Sequence, residues 1–137
     1  MKDMVVGMGE ALWDVLPEGK KIGGAPANFA YHVSQFGLNS AVVSAVGEDA
    51  LGDEIVENFT SKGLNHLIER VPYPTGTVQV EIDQAGVPQY EIKENVAWDN
   101  IPYTAHLETL ATRTKAVCFG SLAQRNVVSR NTINRFL

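Results

Sequence analysis

The chain has 137 residues, of which 45% are hydrophobic, and this length and composition exclude a disordered segment and allow one sizeable core. Its 16 acidic and 11 basic residues give a formal net charge of −5, and no basic run exceeds Lys20-Lys21, so nucleic acid and anionic membranes are not expected partners. The single cysteine, Cys118, cannot form an internal disulfide, and neither a signal peptide nor a membrane-spanning apolar stretch is visible, so we predict a cytoplasmic protein.

The first half of the chain is predicted to alternate strands with helices. Short apolar runs predict strands, and segments with apolar residues at helical spacing predict helices. In chain order these are a strand at 4–8, a helix at 26–37, a strand at 40–46, a helix at 50–62 and a strand at 65–71. This order is typical of a parallel α/β sheet with right-handed crossovers.

The most informative stretch is the glycine pair Gly23-Gly24, which leads through Pro26 into the first helix. Adjacent glycines allow a ligand to approach the main chain, and the free N–H groups of a helix start can face that ligand. Asn28, one turn into the helix, can both donate and accept hydrogen bonds. The pattern therefore indicates a polar-ligand site, with a tight strand-to-helix turn that binds nothing as the alternative.

Asp14 follows the first strand, near the edge of the sheet where α/β proteins bind ligands. Its carboxylate could accept hydrogen bonds from two hydroxyls of a ligand, because both oxygens lie in one plane. On local grounds alone, an aspartate that caps a turn is the more frequent alternative.

In the second half, apolar and polar residues alternate strictly over 77–83 and 87–93. This alternation predicts a β-hairpin with one buried and one solvent-exposed face. Tyr90, Ala97 and Trp98 could supply an apolar wall against a ligand, or could equally be core residues.

The remaining segments return to the α/β pattern, with a helix at 102–114, a strand at 115–119 and a helix that begins at 126. Gln124 and Arg125 follow the last strand on the ligand side of the sheet, and both can reach a hydroxyl or a phosphate.

Taken together, these motifs resemble the ribokinase-like (PfkB) family of carbohydrate kinases. The glycine pair, Asn28 and the later Gly37 and Gly47 follow the order of that family's N-terminal signature. Four further stretches are similar to its fructokinase branch: Gly9-Glu10-Ala11-Leu12-Trp13-Asp14, Val46-Gly47-Glu48-Asp49-Ala50-Leu51-Gly52-Asp53, Thr75-Gly76-Thr77-Val78 and Phe119-Gly120-Ser121-Leu122-Ala123-Gln124-Arg125.

The resemblance implies a ribokinase-like three-layer α/β fold, here the N-terminal part of a mainly parallel sheet with flanking helices. It also implies a small β-strand lid, from about residues 11–22 and 75–98, that closes over the sugar and can pair with a second subunit's lid in a homodimer. The expected sugar-binding residues are Asp14, Gly23, Gly24, Asn28, Tyr90, Ala97, Trp98, Gln124 and Arg125.

The implied reaction is ATP-dependent phosphorylation of a primary hydroxyl of a small sugar, most specifically D-fructose to fructose 6-phosphate. The family's catalytic base, its anion hole and the groups that hold ATP and Mg²⁺ belong to a C-terminal half with a Gly-Ala-Gly-Asp motif, which residues 1–137 lack. We therefore expect the base and the anion hole beyond Leu137, predict no catalytic or metal-binding residue before it, and expect the 137 residues alone to be inactive.

Two alternatives stay open. The chain could serve as a non-catalytic sugar-binding or assembly module, or it could belong to a kinase of the same family that acts on ribose, a nucleoside or a keto-deoxy sugar acid.

Overall fold

The computed structural model describes residues 2–137, which form two four-stranded sheets and four α-helices. In chain order the elements are β1 Met4–Met8, β2 Leu12–Leu16, β3 Gly19–Gly23, α1 Ala25–Gln35, β4 Ser40–Gly47, α2 Ala50–Ser61, β5 Asn65–Val71, β6 Gly76–Ile82, β7 Pro88–Ile92, α3 Ala105–Arg113, β8 Thr114–Phe119 and α4 Val127–Phe136, with 3₁₀ helices at Ala97–Asn100 and Leu122–Gln124.

The first sheet, sheet A, has the strand order β5-β4-β1-β8, and all of its strand pairs are parallel. The predicted parallel α/β sheet is therefore confirmed. Side chains that alternate along β4 enter two separate cores: Val42 and Val46 pack with α1 and α2, whereas Val43 and Ala45 join the core on the opposite face. This burial on both faces explains why the strands are continuously apolar in sequence.

The second sheet, sheet B, has the strand order β3-β2-β6-β7. It consists of two antiparallel hairpins, β2–β3 and β6–β7, joined by a parallel β2–β6 pair. These four strands lie within the ranges expected for a lid, 11–22 and 75–98, except that β3 ends one residue later. The last part of the second range holds no strand, because its residues 97 and 98 belong to the Ala97–Asn100 3₁₀ helix.

Two helix boundaries differ from the predictions for local reasons. Helix α3 begins at Ala105 and not at Pro102, because the Thr104 side chain caps it by accepting a hydrogen bond from Leu107 N at 3.1 Å. Helix α1 ends at Gln35, ahead of Gly37, whose φ of 81° stops the helix in the left-handed region.

Side-chain hydrogen bonds fix sheet B to sheet A where β6 begins. The Thr75 hydroxyl donates to Asp49 Oδ1 at 2.5 Å, Thr75 N donates to Asp49 Oδ2 at 3.0 Å, and Gly47 N donates to the Thr75 hydroxyl at 2.9 Å. Burial alone would raise the pKa of Asp49, but these bonds and one from Gly52 N outweigh it and lower that pKa. The base of sheet B is therefore held firmly by the end of β4.

No helix within residues 2–137 is both long enough and apolar enough to cross a membrane.

Candidate sugar-binding site

Three segments meet at the carboxyl end of β1: the Gly9-Glu10 turn, the start of α1 and the 3₁₀ helix Leu122–Gln124. A Cβ added to Gly9 would lie 3.0 Å from Pro26 Cγ and 3.4 Å from Ala123 Cβ, which shows how closely the three approach. The polar residues around this junction form the candidate site.

The glycine pair is required by close contacts on both of its members. Gly24 has a φ of 110°, and a Cβ there would lie 2.3 Å from the main-chain oxygen of Glu10. A Cβ on Gly23 would lie 2.4 Å from Asp14 Oδ2. The glycines therefore seat two acidic residues against the start of α1, an arrangement that a side chain at either position would prevent.

Asp14 lies in the middle of β2, in register with Lys21 of β3 and Val78 of β6. Its carboxylate forms no hydrogen bond or ion pair within residues 2–137, so it is neither a turn nor a cap residue. Partial burial raises its pKa. A half-buried carboxylate without a protein partner is a free hydrogen-bond acceptor, which suits a hydroxylated ligand.

The start of α1 offers further polar groups. Gly24 is the N-cap and provides no side-chain cap, and Asn28 N donates to Gly24 O at 3.0 Å. The Asn28 side chain is exposed and forms no hydrogen bond within the described part of the chain. Its amide is therefore free to contact a ligand at the helix start.

Glu10 belongs to this site although sequence reasoning did not select it. Only 5% of the residue is exposed, and Oε2 is buried with no hydrogen-bond partner among the described residues. Burial raises the pKa of Glu10, and the backbone amides of Glu10 and Ala25 and the charge of Arg125 oppose that rise. Its position just after a buried strand was the available sequence signal, but burial of the carboxylate depends on the packing of α1.

Arg125, a predicted ligand residue, is largely engaged by the protein. Its Nε and Nη2 donate to Asp99 Oδ1 and Oδ2, both at 2.8 Å, and Nη2 also donates to Lys93 O at 2.6 Å. The guanidinium carbon lies 4.3 Å from the centre of the Trp98 ring, and the Asp99 pair raises the pKa of Arg125. Nη1 alone forms no hydrogen bond within residues 2–137, so a ligand contact by Arg125 is restricted to that nitrogen.

Gln124 is also engaged, since its Nε2 donates to Gly120 O at 2.8 Å. Its side-chain oxygen remains as a possible acceptor, so a role in sugar binding stays a prediction for this residue.

The predicted apolar wall divides in the structure. Ala97 and Trp98 are 0% and 1% exposed and belong to the core cluster that contains Leu12 and Val78 of sheet B. In this conformation Ala97 and Trp98 are therefore core residues, because they present no surface to a ligand. They nevertheless pack against the same face of sheet B that carries Asp14.

Tyr90 lies on β7 and is 66% exposed, but it pairs with Val80 and not with the row of Asp14. The residue that completes the row from Asp14 through Val78 is Ile92, which is 40% exposed. Strand register sets this assignment, and the alternating pattern alone could not distinguish Tyr90 from Ile92.

The arrangement provides carboxylate acceptors and a side-chain amide, which together can bind several hydroxyl groups. Within residues 2–137 no group of three or more His, Cys, Asp or Glu side chains is placed to hold a metal ion. The chemistry that these residues support is therefore recognition of a polar ligand.

Comparisons with known proteins identify the family and the fold. The model of the pfkB family of carbohydrate kinases matches residues 17–130. An uncharacterized sugar kinase of Pyrococcus horikoshii is 29% identical over 147 residues, an alignment that covers 98% of this chain and 47% of the relative. Its structure in complex with ATP matches with a TM-score of 0.81 at 28% identity, over 96% of this chain and 47% of that one.

Two relatives carry more specific names. An ATP-dependent 6-phosphofructokinase of Thermoanaerobacterium thermosaccharolyticum is 30% identical over 115 residues, which cover 83% of this chain and 35% of that protein. A fructokinase of Salmonella typhimurium is 35% identical over 86 residues, which cover 58% of this chain and 28% of that protein.

The chain spans about half the length of the Pyrococcus relative. The location of a catalytic base and an anion hole beyond Leu137 stays a prediction, since residues 2–137 are the part that the structure describes.

The family match covers most of the chain, and the two-sheet architecture is that of the matched sugar kinase. The chain therefore belongs to the pfkB family of carbohydrate kinases and has the ribokinase-like α/β fold.

Proposed function

We propose that this chain is the sugar-binding part of an ATP-dependent sugar kinase that phosphorylates D-fructose to fructose 6-phosphate in the cytoplasm. The observation that carries the proposal is the Asp14 carboxylate, which is half-buried, has no partner within residues 2–137 and lies against Gly23. Membership of the pfkB family and the fructokinase relative support the choice of a sugar, and of fructose among sugars.

In this proposal the sugar lies over the glycine pair. Asp14 accepts hydrogen bonds from two hydroxyls, Asn28 contributes its side-chain amide, and Gly23 leaves room for the Asp14 carboxylate beside the sugar. Sheet B then acts as the lid, and its face with Asp14 and Ile92 turns toward the sugar. Exclusion of water by such a lid strengthens each of these polar contacts.

ATP supplies the phosphoryl group in the proposed reaction, and Mg²⁺ neutralises the nucleotide phosphates. The Pyrococcus relative has been solved with ATP, which supports the choice of nucleotide. We expect the catalytic base, the anion hole and the Mg²⁺ ligands beyond Leu137, so that residues 1–137 alone bind the sugar without transferring phosphate.

The proposal includes a homodimer formed through the lid strands. Four large apolar residues of the β6–β7 hairpin are 40% to 66% exposed: Ile82, Val87, Tyr90 and Ile92. Strand β7 is also an edge of sheet B, and an exposed apolar edge is well suited to pair with a second copy.

A second candidate is a kinase of the same family whose acceptor is a sugar phosphate. The 6-phosphofructokinase relative, which aligns with 83% of this chain, is the observation that favours it. A sugar-binding module without kinase activity would differ from the main proposal in turnover. A kinase for ribose, a nucleoside or a keto-deoxy sugar acid would differ from it in substrate preference.

The experiment begins with the complete open reading frame that encodes this chain, and its product is assayed for ATP-dependent phosphorylation of a sugar panel. Asp14→Ala and Asn28→Ala are then each expected to weaken D-fructose binding by about 1–3 kcal/mol, the usual cost of an unpaired buried polar contact. Calorimetric titration measures fructose and ATP affinity separately, and ATP affinity should change little.

Asn39→Ala is the matched control for Asn28, because its side chain bonds Asp3 at 2.7 Å on the exposed surface and not at the candidate site. If Asp14→Ala lowers the melting temperature but leaves fructose affinity intact, Asp14 is a structural residue and the proposed sugar site is wrong. Fructose binding without any turnover by the complete protein would instead favour the sugar-binding module.

A further inference from the structure

Sheet B is attached to the rest of the molecule from two sides. On one side Trp13 of β2 donates from its indole N–H to Leu51 O of α2 at 3.0 Å. On that same side Thr75, just before β6, bonds to Asp49, the N-cap of α2. On the other side Arg125, which follows β8, bonds to the chain directly after β7. Arg125 is therefore the attachment next to β7.

β7 has little else to hold its carboxyl end. It is an edge of sheet B, it pairs with β6 alone among the described strands, and all five of its residues are exposed. Its hydrogen bonding to β6 weakens after the strand, where Lys93 N lies 3.5 Å from Thr77 O. At that same residue Arg125 Nη2 donates to Lys93 O at 2.6 Å. Arg125 therefore takes over where the strand pairing becomes weak.

The guanidinium of Arg125 is itself fixed in place. Nε and Nη2 each donate to the carboxylate of Asp99 at 2.8 Å, and Asp99 is 1% exposed. The guanidinium carbon lies 4.3 Å from the centre of the Trp98 ring, which is buried in the core. A guanidinium that is bound through its fork and stacked on a ring has little freedom to move. Nη2 is therefore a rigid donor that sets the position of Lys93 O.

The residue before Lys93 is Ile92, which lies on the face of sheet B that carries Asp14. The register runs from Asp14 through Val78 to Ile92, and residues opposite one another in a sheet present their side chains to the same face. Because Ile92 and Lys93 are consecutive, a shift of Lys93 O also shifts the Ile92 side chain over this face.

We propose that Arg125 is a positioning residue of the sugar site: by holding Lys93 O it places Ile92 where its side chain packs on the carbon atoms of the bound sugar. The inference rests on the proposed sugar-binding function and deepens it, because it assigns an apolar contact to the lid. Such a contact excludes water from the polar contacts of Asp14. Arg125 then acts on the sugar without contacting it.

The test is a double-mutant cycle on the complete protein. Arg125→Lys keeps a positive charge beside Asp99, but a lysine lacks the fork that binds Asp99 and Lys93 O together. Ile92→Ala removes the proposed apolar contact itself. Calorimetric titration gives the dissociation constants of D-fructose and ATP for the wild type, the two single variants and the double variant.

We expect each single variant to bind fructose roughly tenfold more weakly, the factor that loss of a charge-assisted hydrogen bond or of a partly buried apolar contact supplies. The double variant should be no weaker than the weaker single variant, because both changes remove the same contact with the sugar. ATP affinity should not change. The control Arg135→Lys, which stacks on Tyr103 but forms no hydrogen bond with β7 among the described residues, should bind fructose like the wild type.

Hydrogen exchange in the sugar-free protein supplies the readout that a purely structural arginine would not give. Arg125→Lys should speed exchange of the β7 amides roughly tenfold and leave exchange in β1 and β4 unchanged, because only the lid loses an attachment. Equally faster exchange in all three strands would overturn the inference, since it would show a general loss of stability.

Additive losses of fructose affinity in the double variant would also overturn it, because they would point to a direct contact between Arg125 and the sugar. If Arg125→Lys does not fold, replacing Glu94 by its α-hydroxy analogue converts the 93–94 peptide bond into an ester. That change weakens Lys93 O as an acceptor and leaves every side chain in place. Unchanged fructose affinity and β7 exchange in the ester variant would then overturn the inference.

These failures leave the proposed function standing as long as the wild type binds fructose. A wild-type protein that binds no sugar would overturn the proposed function itself.

Discussion

Gly24 is the position where one added methyl group should do the most damage. In Gly24→Ala the new Cβ would lie 2.3 Å from the main-chain oxygen of Glu10 and 3.0 Å from its carbonyl carbon. The φ of 110° is also a conformation that residues with a side chain rarely adopt. Gly37→Ala is the matched control, because Gly37 has a φ of 81° but no atom within 4 Å of its added Cβ.

The two substitutions separate backbone strain from steric overlap. Strain alone costs about 1–2 kcal/mol for a residue forced into a left-handed conformation, and this is the full expected cost at Gly37. At Gly24 the overlap with a main-chain atom adds roughly 1–3 kcal/mol, since neither partner is a flexible side-chain end. We therefore expect Gly24→Ala to lower the free energy of unfolding by about 2 kcal/mol more than Gly37→Ala does.

Urea denaturation of the complete protein, followed by circular dichroism, measures both free energies. Gly24→Ala should also weaken sugar binding, because the start of α1 must shift away from Glu10, whereas Gly37→Ala should leave the sugar affinity unchanged. Equal losses of stability in the two variants would show that Gly24 and Glu10 are not in the close contact described here.

Two further predictions concern the buried charges. Arg125→Ala should destabilise the protein by about 3 kcal/mol, because it leaves Asp99, which is 1% exposed, without its ion-pair partner. The control Arg135→Ala should cost less than about 1 kcal/mol, since Arg135 stacks on Tyr103 but has no ion pair within residues 2–137. Equal costs of the two substitutions in urea denaturation would argue against the ion pair as the cause. Burial raises the pKa of Glu10 in the folded state, so the folded protein loses stability as the pH rises from the ordinary pKa of a glutamate through the raised value, and Glu10→Gln removes this loss. The melting temperature of Glu10→Gln relative to the wild type should therefore be more favourable near pH 7 than at about pH 4, and a difference independent of pH would refute this account.

Local patterns in the sequence were enough to predict the framework of this protein. The apolar runs of β1, β4 and β5, the helical spacing in α1 and α2 and the alternation of β6 and β7 all correspond to observed elements. These predictions succeed because each pattern reflects burial of one side of a regular element, a property encoded within a few neighbouring residues. The glycine pair was likewise visible in the sequence, whereas the contacts that require glycine there, with the main chain of Glu10 and the carboxylate of Asp14, depend on the fold.

Contacts between residues far apart in the chain decided which side chains of the candidate site are free to contact a ligand. Arg125 was predicted to face a ligand, but it pairs with Asp99, 26 positions earlier, and only the packing of the Ala97–Asn100 3₁₀ helix brings the two together. The same packing buries Trp98. Sequence spacing carries no information on which of several polar groups will find a partner in the protein.

Asp14 and Glu10 illustrate the same difference between what the sequence and what the tertiary structure determine. Asp14 and Glu10 are both acidic residues that follow β1 in the sequence, and the family resemblance, not the local pattern, pointed to Asp14 as the ligand residue. The tertiary structure leaves the Asp14 carboxylate and Glu10 Oε2 without hydrogen-bond partners within residues 2–137, whereas the backbone amides of Glu10 and Ala25 favour the ionised form of the Glu10 carboxylate. Residue type determined what these groups can bind, but packing of sheet B and α1 on sheet A decided which of them remain free to bind it.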